Sequence, residues 1–255
     1  MQRRIALALA LSAHVLSLAA CDDKPKDGAK EKDKGAPSAT ASAAPSAAPS
    51  AEPPEPTATT LSMDDAALTV NADKVPFEGP DAKGRLALAL AGKPKIAGET
   101  VTLVVMRAAK APKVTLVAAA LKDQKAKGLV LKAQTRDGKM SEIPVTFGVS
   151  APCAAVAAIG KDVAINVWTL GGTTARRFAK GMAGPDLTLG SEGLRKQASA
   201  CDTKVAVLGA DESVTFGLVF DLALAAKDGP ADPKLAGLTF GLAEGLVAGR
   251  KASAL

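Results

Sequence analysis

The stretch KVAVLGADESVTFGLVFDLALAAKDG, residues 204–229, followed beyond a Pro-rich turn by KLAGLTFGLAE, residues 234–244, decides the fold. It reads as strand, helix, strand. Val205, Val207 and Leu208 make a short apolar run that stops at Gly209, as a buried strand does. Asp211, Glu212 and Ser213 form a polar turn. Phe216, Val219, Phe220, Ala223 and Leu224 then recur at helical spacing and share one face, leaving Asp221 and Asp228 on others. Ser213 or Thr215 is placed to cap this helix, and Gly229-Pro230 to stop it. Leu235–Phe240 is the returning strand. Two Phe at helical spacing read as core packing.

Upstream, Ala155–Ile159 and Val163–Trp168 form a hairpin across Gly160-Lys161-Asp162. A loop holding Gly171-Gly172 and Arg176-Arg177 follows, and Gly184-Pro185-Asp186 leads into a helix from about Ser191 to Cys201. The first half has the same order. Ala66–Val70 and Lys74–Phe77 pair across Asn71-Ala72-Asp73, and Arg85–Leu90 is compatible with strand or helix. Val101–Met106 is a strand, and Pro112 opens a helix that carries Val114, Val117 and Leu121 and ends at Gly128. Leu129–Gln134 and Ile143–Val149 are further strands. The expected class is α+β: two tandem small strand–helix–strand units, residues 61–150 and 151–255, related by duplication.

The run Gly209-Ala210-Asp211, Val214-Thr215-Phe216-Gly217, then helix and apolar strand, resembles the periplasmic domain of the ExbD/TolR biopolymer-transport family. That family shows a strand ending in Ala-Asp, a Val-Pro-Tyr-Gly turn opening a helix, and a closing strand. Thr215 and Phe216 stand here for the Pro and Tyr. The resemblance covers about Ala154 to Ala243 and implies the fold and a protein- or wall-binding habit. The family's functional carboxylate lies in a transmembrane helix for which this sequence offers no counterpart, so proton use is not carried over.

Residues 1–20 read as an export signal: Arg3 and Arg4, an apolar run from Ile5, then Leu18-Ala19-Ala20-Cys21. The last four resemble the bacterial lipoprotein box, which implies a lipid on Cys21. The apolar run is short of the ~18–20 residues of a membrane span. Asp22 and Asp23 follow; an Asp there resembles an inner-membrane retention signal, and inner and outer membrane both stay open. Residues 21–60 mix Lys with acids and then run to Ala, Ser, Pro and Thr, a composition with too little to bury, and read as a disordered linker. As a flexible coil its ends average roughly 35 Å apart; fully extended it approaches ~120 Å. The expected location is the cell envelope, lipid-anchored and facing the periplasm.

Of the three Cys, lipidation of Cys21 leaves Cys153 and Cys201, which in an exported chain read as a disulfide. The only His is His14, inside the signal, and there is no Tyr. A mature chain without histidine builds no Ser-His-Asp triad, no Cys-His pair and no His-based zinc site. The Gly-rich pieces fit neither the phosphate-loop nor the dinucleotide pattern, so no cofactor and no metal are expected. The net charge of +6 comes mostly from scattered Lys without interleaved aromatics, which argues against nucleic acid. Asp186, Ser191 and Glu192 near Gly184 and Gly190 read as turn and helix-cap chemistry, against a nucleophile or an anion cradle.

Three functions compete. The first is a non-catalytic binding or scaffold module docking an envelope protein or cell-wall component, accessory to a Ton/Tol-type system; Arg176, Arg177, Asp186 and Asp211 are its candidate contact residues. The second is a carboxylate-dependent envelope enzyme, which needs paired acids roughly 5–9.5 Å apart. The third is a small-ligand-binding lipoprotein, which needs a sizeable apolar pocket.

Overall fold

The computed structural model describes residues 58–148, 153–182, 184–229, 235–241, 246–250 and 252–255. The expected signal, Cys21, the linker up to residue 57 and the boundary near Ser150 lie outside the described residues.

The first half contains β1 (Leu61–Met63), β2 (Ala67–Val70), β3 (Asp73–Pro76), α1 (Ala82–Leu90), β4 (Thr100–Val105), α2 (Ala111–Asp123), β5 (Gly128–Gln134) and β6 (Met140–Thr146). Its strands form one mixed sheet in the order β3-β2-β1-β4-β5-β6. β4 shows how the sequence builds it. In TVTLVV, Val101, Leu103 and Val105 are buried and Thr100, Thr102 and Val104 are exposed, so one face meets the helices and the other meets solvent. α2 answers with Val114, Val117, Ala118 and Leu121, all buried.

The second half contains β7 (Ala155–Ile159), β8 (Ile165–Thr169), β9 (Arg176–Phe178), α3 (Leu187–Ser199), β10 (Val205–Ala210), α4 (Phe216–Lys227) and β11 (Gly237–Phe240), with sheet order β11-β10-β7-β8-β9. Five strands of the first sheet, β3-β2-β1-β4-β5, share the topology of the second; β6, antiparallel to β5, is an added edge strand without a counterpart. β1 and β7 each lead into an antiparallel hairpin, and each pairs in parallel with the strand that follows a helix. The register matches too: Thr100 faces Gly128 as Val205 faces Gly237, and Leu103 faces Leu131 as Leu208 faces Phe240. Gly-Pro-Asp precedes both first helices, at residues 79–81 and 184–186. Both Asp cap: Asp81 accepts from Gly84 N at 3.0 Å and Asp186 from Leu189 N at 3.0 Å.

The halves meet at the starts of α2 and α4. Ala111 N donates to Val214 O at 3.0 Å, and Phe216 N donates to Ala109 O at 2.7 Å. Lys110 and Thr215, the residues before the two helices, form an antiparallel bridge. Each helix thus has an otherwise unsatisfied N-terminal amide bonded by a carbonyl of the other half. The apolar core is continuous across this junction, joining Leu103 and Leu121 to Leu208, Phe216 and Phe220.

The back faces differ. In the first sheet Ser62, Thr100 and Thr102 are exposed. In the second, Val156, Trp168, Leu170 and Val207 form a separate apolar cluster against Leu246, Ala252 and Ala254 of the C-terminal segment.

Several expectations shift. Arg85–Leu90 is helical, within α1. α2 ends at Asp123, and Gly128 opens β5. The strand expected at Ile143–Val149 runs from Met140 to Thr146. Arg176 and Arg177 lie in a strand, not a loop, because β8 supplies a pairing edge. α3 starts at Leu187, not near Ser191, since Asp186 is its cap. Two interior glycines hide that helix in the sequence; a Cβ on Gly190 would fall 2.4 Å from Ile165 Cδ1, and one on Gly193 2.5 Å from Phe178 Cζ. Neither Ser213 nor Thr215 caps α4 through its side chain; carbonyls of residues 107 and 109 do so instead.

Candidate functional site

The turns of the second half hold the residues singled out for partner contact. Asp211 follows β10 and closes an Asx turn, its Oδ1 accepting from Ser213 N at 3.0 Å and from Ser213 Oγ at 2.7 Å. Those bonds, the backbone one first, hold its carboxyl below the usual range, and Lys161 adds to the effect. Arg177 pairs with Asp162 in the β7–β8 turn and holds that carboxyl low in turn. Asp211 shares an open cleft of about 370 Å³ with Gly160 and Asn166. Asn166 is the residue opposite Arg177 in the sheet, so Arg177 and Asp211 belong to one end of it.

Arg176 points to the other face of β9, as strand alternation requires. Its guanidinium lies 4.9 Å from the centre of the Phe178 ring, a cation–π arrangement. With Leu189, Glu192 and Lys196 it rims a shallow hollow of about 210 Å³ on α3. Asp186 is engaged by its capping bond at the start of that helix. The four residues therefore fall into two groups and do not converge on one point. Ser191 is buried in mid-helix with Oγ donating to Thr188 O at 3.0 Å, so the helix start imagined there is absent.

Cys153 and Cys201 are joined as a disulfide, tying the start of β7 to the end of α3. Thr203 Oγ1 donates to Cys153 O at 2.9 Å and fixes the same corner.

The strongest electrostatic feature escaped the sequence reading. Asp221 lies on α4 with 7% of its side chain exposed. Arg107, from the β4–α2 loop, donates through both terminal nitrogens to its two oxygens, at 2.9 and 2.8 Å. Arg136, from the β5–β6 turn, adds a bond from Nε at 2.6 Å. Arg107 also donates to Gln134 O at 2.8 Å. Its bonds to Asp221 hold the guanidinium above its ordinary value. Bidentate pairing of this kind is the strong form of an ion pair. The arginine lies against Gly217, where a Cβ would come within 3.1 Å of it. The one signal in the sequence was an Asp in the middle of an otherwise apolar helix, FGLVFDLALAAK. Two guanidiniums of the first half thereby clamp one carboxylate of the second.

Among the described residues no group of three or more His, Cys, Asp or Glu is arranged to hold a metal ion, and no helix is long and apolar enough to cross a membrane. Comparison of the chain with protein-family models, with curated proteins and with solved structures finds no match.

Proposed function

We propose that this chain is a lipid-anchored, non-catalytic binding or scaffold module of the bacterial envelope. In this reading Cys21 carries the lipid and the tether ends before Thr59, which with Thr60 is already bonded to Pro94 O and Asn71 of the first half. The duplicated α+β units are ExbD/TolR-like, face the periplasm and dock an envelope protein or cell-wall component beside a Ton/Tol-type transport system. The observation that carries the reading is the build of residues 205–240. β10 ends at Ala210, Asp211 turns the chain, Phe216 opens α4 and β11 returns parallel to β10, the order that the resemblance implies. A disulfide between Cys153 and Cys201 suits an oxidising compartment.

Arg176 and Arg177 are the contact residues to test, since both are exposed on β9, Arg177 beside its partner Asp162, whereas Asp186 and Asp211 serve as helix cap and turn closure. Membrane fractionation of cells carrying wild-type and Cys21→Ser chains tests the anchor; equal membrane recovery of both refutes it. Cross-linking and co-purification from those membranes tests the docking. R176A/R177A, at unchanged thermal stability, is expected to recover less partner; unchanged recovery moves the contact elsewhere.

A further inference from the structure

The back face of the second sheet is an apolar surface covered, among the described residues, by a C-terminal strap together with Ala175 of the β8–β9 loop. Trp168, Val156, Val207 and Thr239 face one another across β8, β7, β10 and β11. In the next row, Asn166, Ala158 and Gly209 are in register and Gly241 follows beside them, N-bonded to Leu208 O at 2.8 Å. The two glycines leave a hollow, and Leu246 fills it: a Cβ on Gly209 would lie 1.8 Å from Leu246 Cδ1, and one on Gly241 2.7 Å from it. The rest of the cover is thin. Ala252 and Ala254 pack on the cluster, while Val247, Ala248 and Arg250 are exposed. The bonds that tie the strap to the sheets are Trp168 Nε1 to Arg250 O at 2.9 Å, Ala252 N to Leu170 O at 3.2 Å, Leu255 N to Phe240 O at 2.9 Å and Gly148 N to Leu255 O at 3.0 Å, with Ala254 bridged to Gly241.

Three observations mark this face as built for another occupant. The matching face of the first sheet carries exposed Ser62, Thr100 and Thr102, so the shared topology does not demand an apolar, covered back. Thr239 is fully buried and its Oγ1 has no hydrogen-bond partner, so the present arrangement leaves a polar atom unmet. The strap also begins beside the open cleft that Gly160, Asn166 and Asp211 share with Leu246 and Val247, which gives an incoming segment a place to start.

We propose that residues 246–250 and 252–255 are a self-bound stand-in. The face beneath them docks an extended segment of a partner protein that carries a bulky aliphatic side chain among small residues, and that side chain takes the place of Leu246. The proposal rests on the binding-module reading and names where the partner sits. Its occupant follows from the shape that the strap already fits: a hollow for one branched aliphatic group, flanked by room for alanine-sized side chains.

The probe is the strap itself supplied in trans, the acetylated and amidated peptide LVAGRKASAL with a fluorophore, titrated into purified mature chain. L246A empties the hollow while keeping Leu255 in the core. It is expected to bind the peptide at least roughly tenfold more tightly than wild type, because the peptide leucine no longer competes with a tethered one. In L246A/G209A the added methyl occupies the hollow, and binding should fall back to the wild-type level. Hydrogen exchange of wild-type protein gives a reading that needs no variant. The Ala252 and Leu255 amides should exchange about a hundredfold or more faster than those of β10, as for a segment that opens by itself. Equal peptide affinity in wild type and L246A, undiminished binding by the double variant, or equal protection of strap and β10 would each overturn the proposal. A wild-type dimer that exchanges straps, seen by sedimentation, would reassign the face to a second copy and overturn it as well. These measurements use purified chain and a defined peptide, so their failure is separable from failure of the membrane and co-purification tests.

Discussion

Replacing Asp221 by Leu tests whether the two halves are held by charge as well as by apolar packing. Breaking a buried ion pair by removing one partner costs about 3–5 kcal/mol, because the other charge is left uncompensated. Here the cost should be smaller. The Arg107 side chain is 27% exposed and Arg136 57%, so both orphaned guanidiniums reach water. About 2–3 kcal/mol is the expected loss. At about 2–4 °C per kcal/mol for a chain of this size, melting should fall by roughly 5–10 °C. R136A alone, at an exposed partner, should cost about 1 kcal/mol or less. The double variant R107L/D221L removes both charges of the bidentate pair and should recover to within about 1 kcal/mol of wild type. Denaturant unfolding of the four proteins measures this, provided that the slopes agree. A D221L protein within about 0.5 kcal/mol of wild type would refute the reasoning. So would a double variant no more stable than D221L, since the loss would then come from packing and not from an uncompensated charge.

Reducing the Cys153–Cys201 bond opens a closure across a sequence separation of 48 and should cost about 4 kcal/mol in the chain-entropy model, read as a lower urea midpoint with reductant present. Mass spectrometry of denatured, unreduced protein should find no free thiol at Cys153 or Cys201. Gly193→Ala would drive a methyl into the Phe178 ring and should destabilise by about 1–3 kcal/mol, although alanine is the better helix former; a gain in stability would contradict the packing described. Asp65 accepts from Lys110 N at 2.9 Å, and that bond first, then Lys113, holds its carboxyl below the ordinary value. Its folded pKa is lower than its unfolded one, so its contribution is present above the unfolded value and is lost as pH falls through the folded one. Wild type should therefore exceed D65N in stability at neutral pH, and the difference should close below about pH 4. A difference that persists at acid pH would refute that link.

Local pattern determined β10, α4 and both hairpins, because β7 and β10 are short apolar runs bounded by polar turns and α4 repeats its large apolar residues at helical spacing. In β4 the alternation of Thr with Val and Leu is enough to orient the strand. The three cysteines and the single histidine, His14, are likewise properties of composition, read without reference to any fold. β9 is different. Arg-Arg-Phe has no pattern to read, and it becomes a strand only because β8 presents unpaired backbone to it. Ser191, Gly190 and Gly193 looked like a helix start and a loop; close approach of Ile165 and Phe178 makes them helix interior. The caps of α2 and α4 could not be found locally, since each uses carbonyls about a hundred residues away. Asp221 became buried and clamped for the same reason: its partners Arg107 and Arg136 come from the β4–α2 and β5–β6 connections of the other half. Local sequence records which side of an element avoids water. Only closure of the whole chain decides which distant groups meet there, because that depends on loop paths and packing distances that no single element encodes.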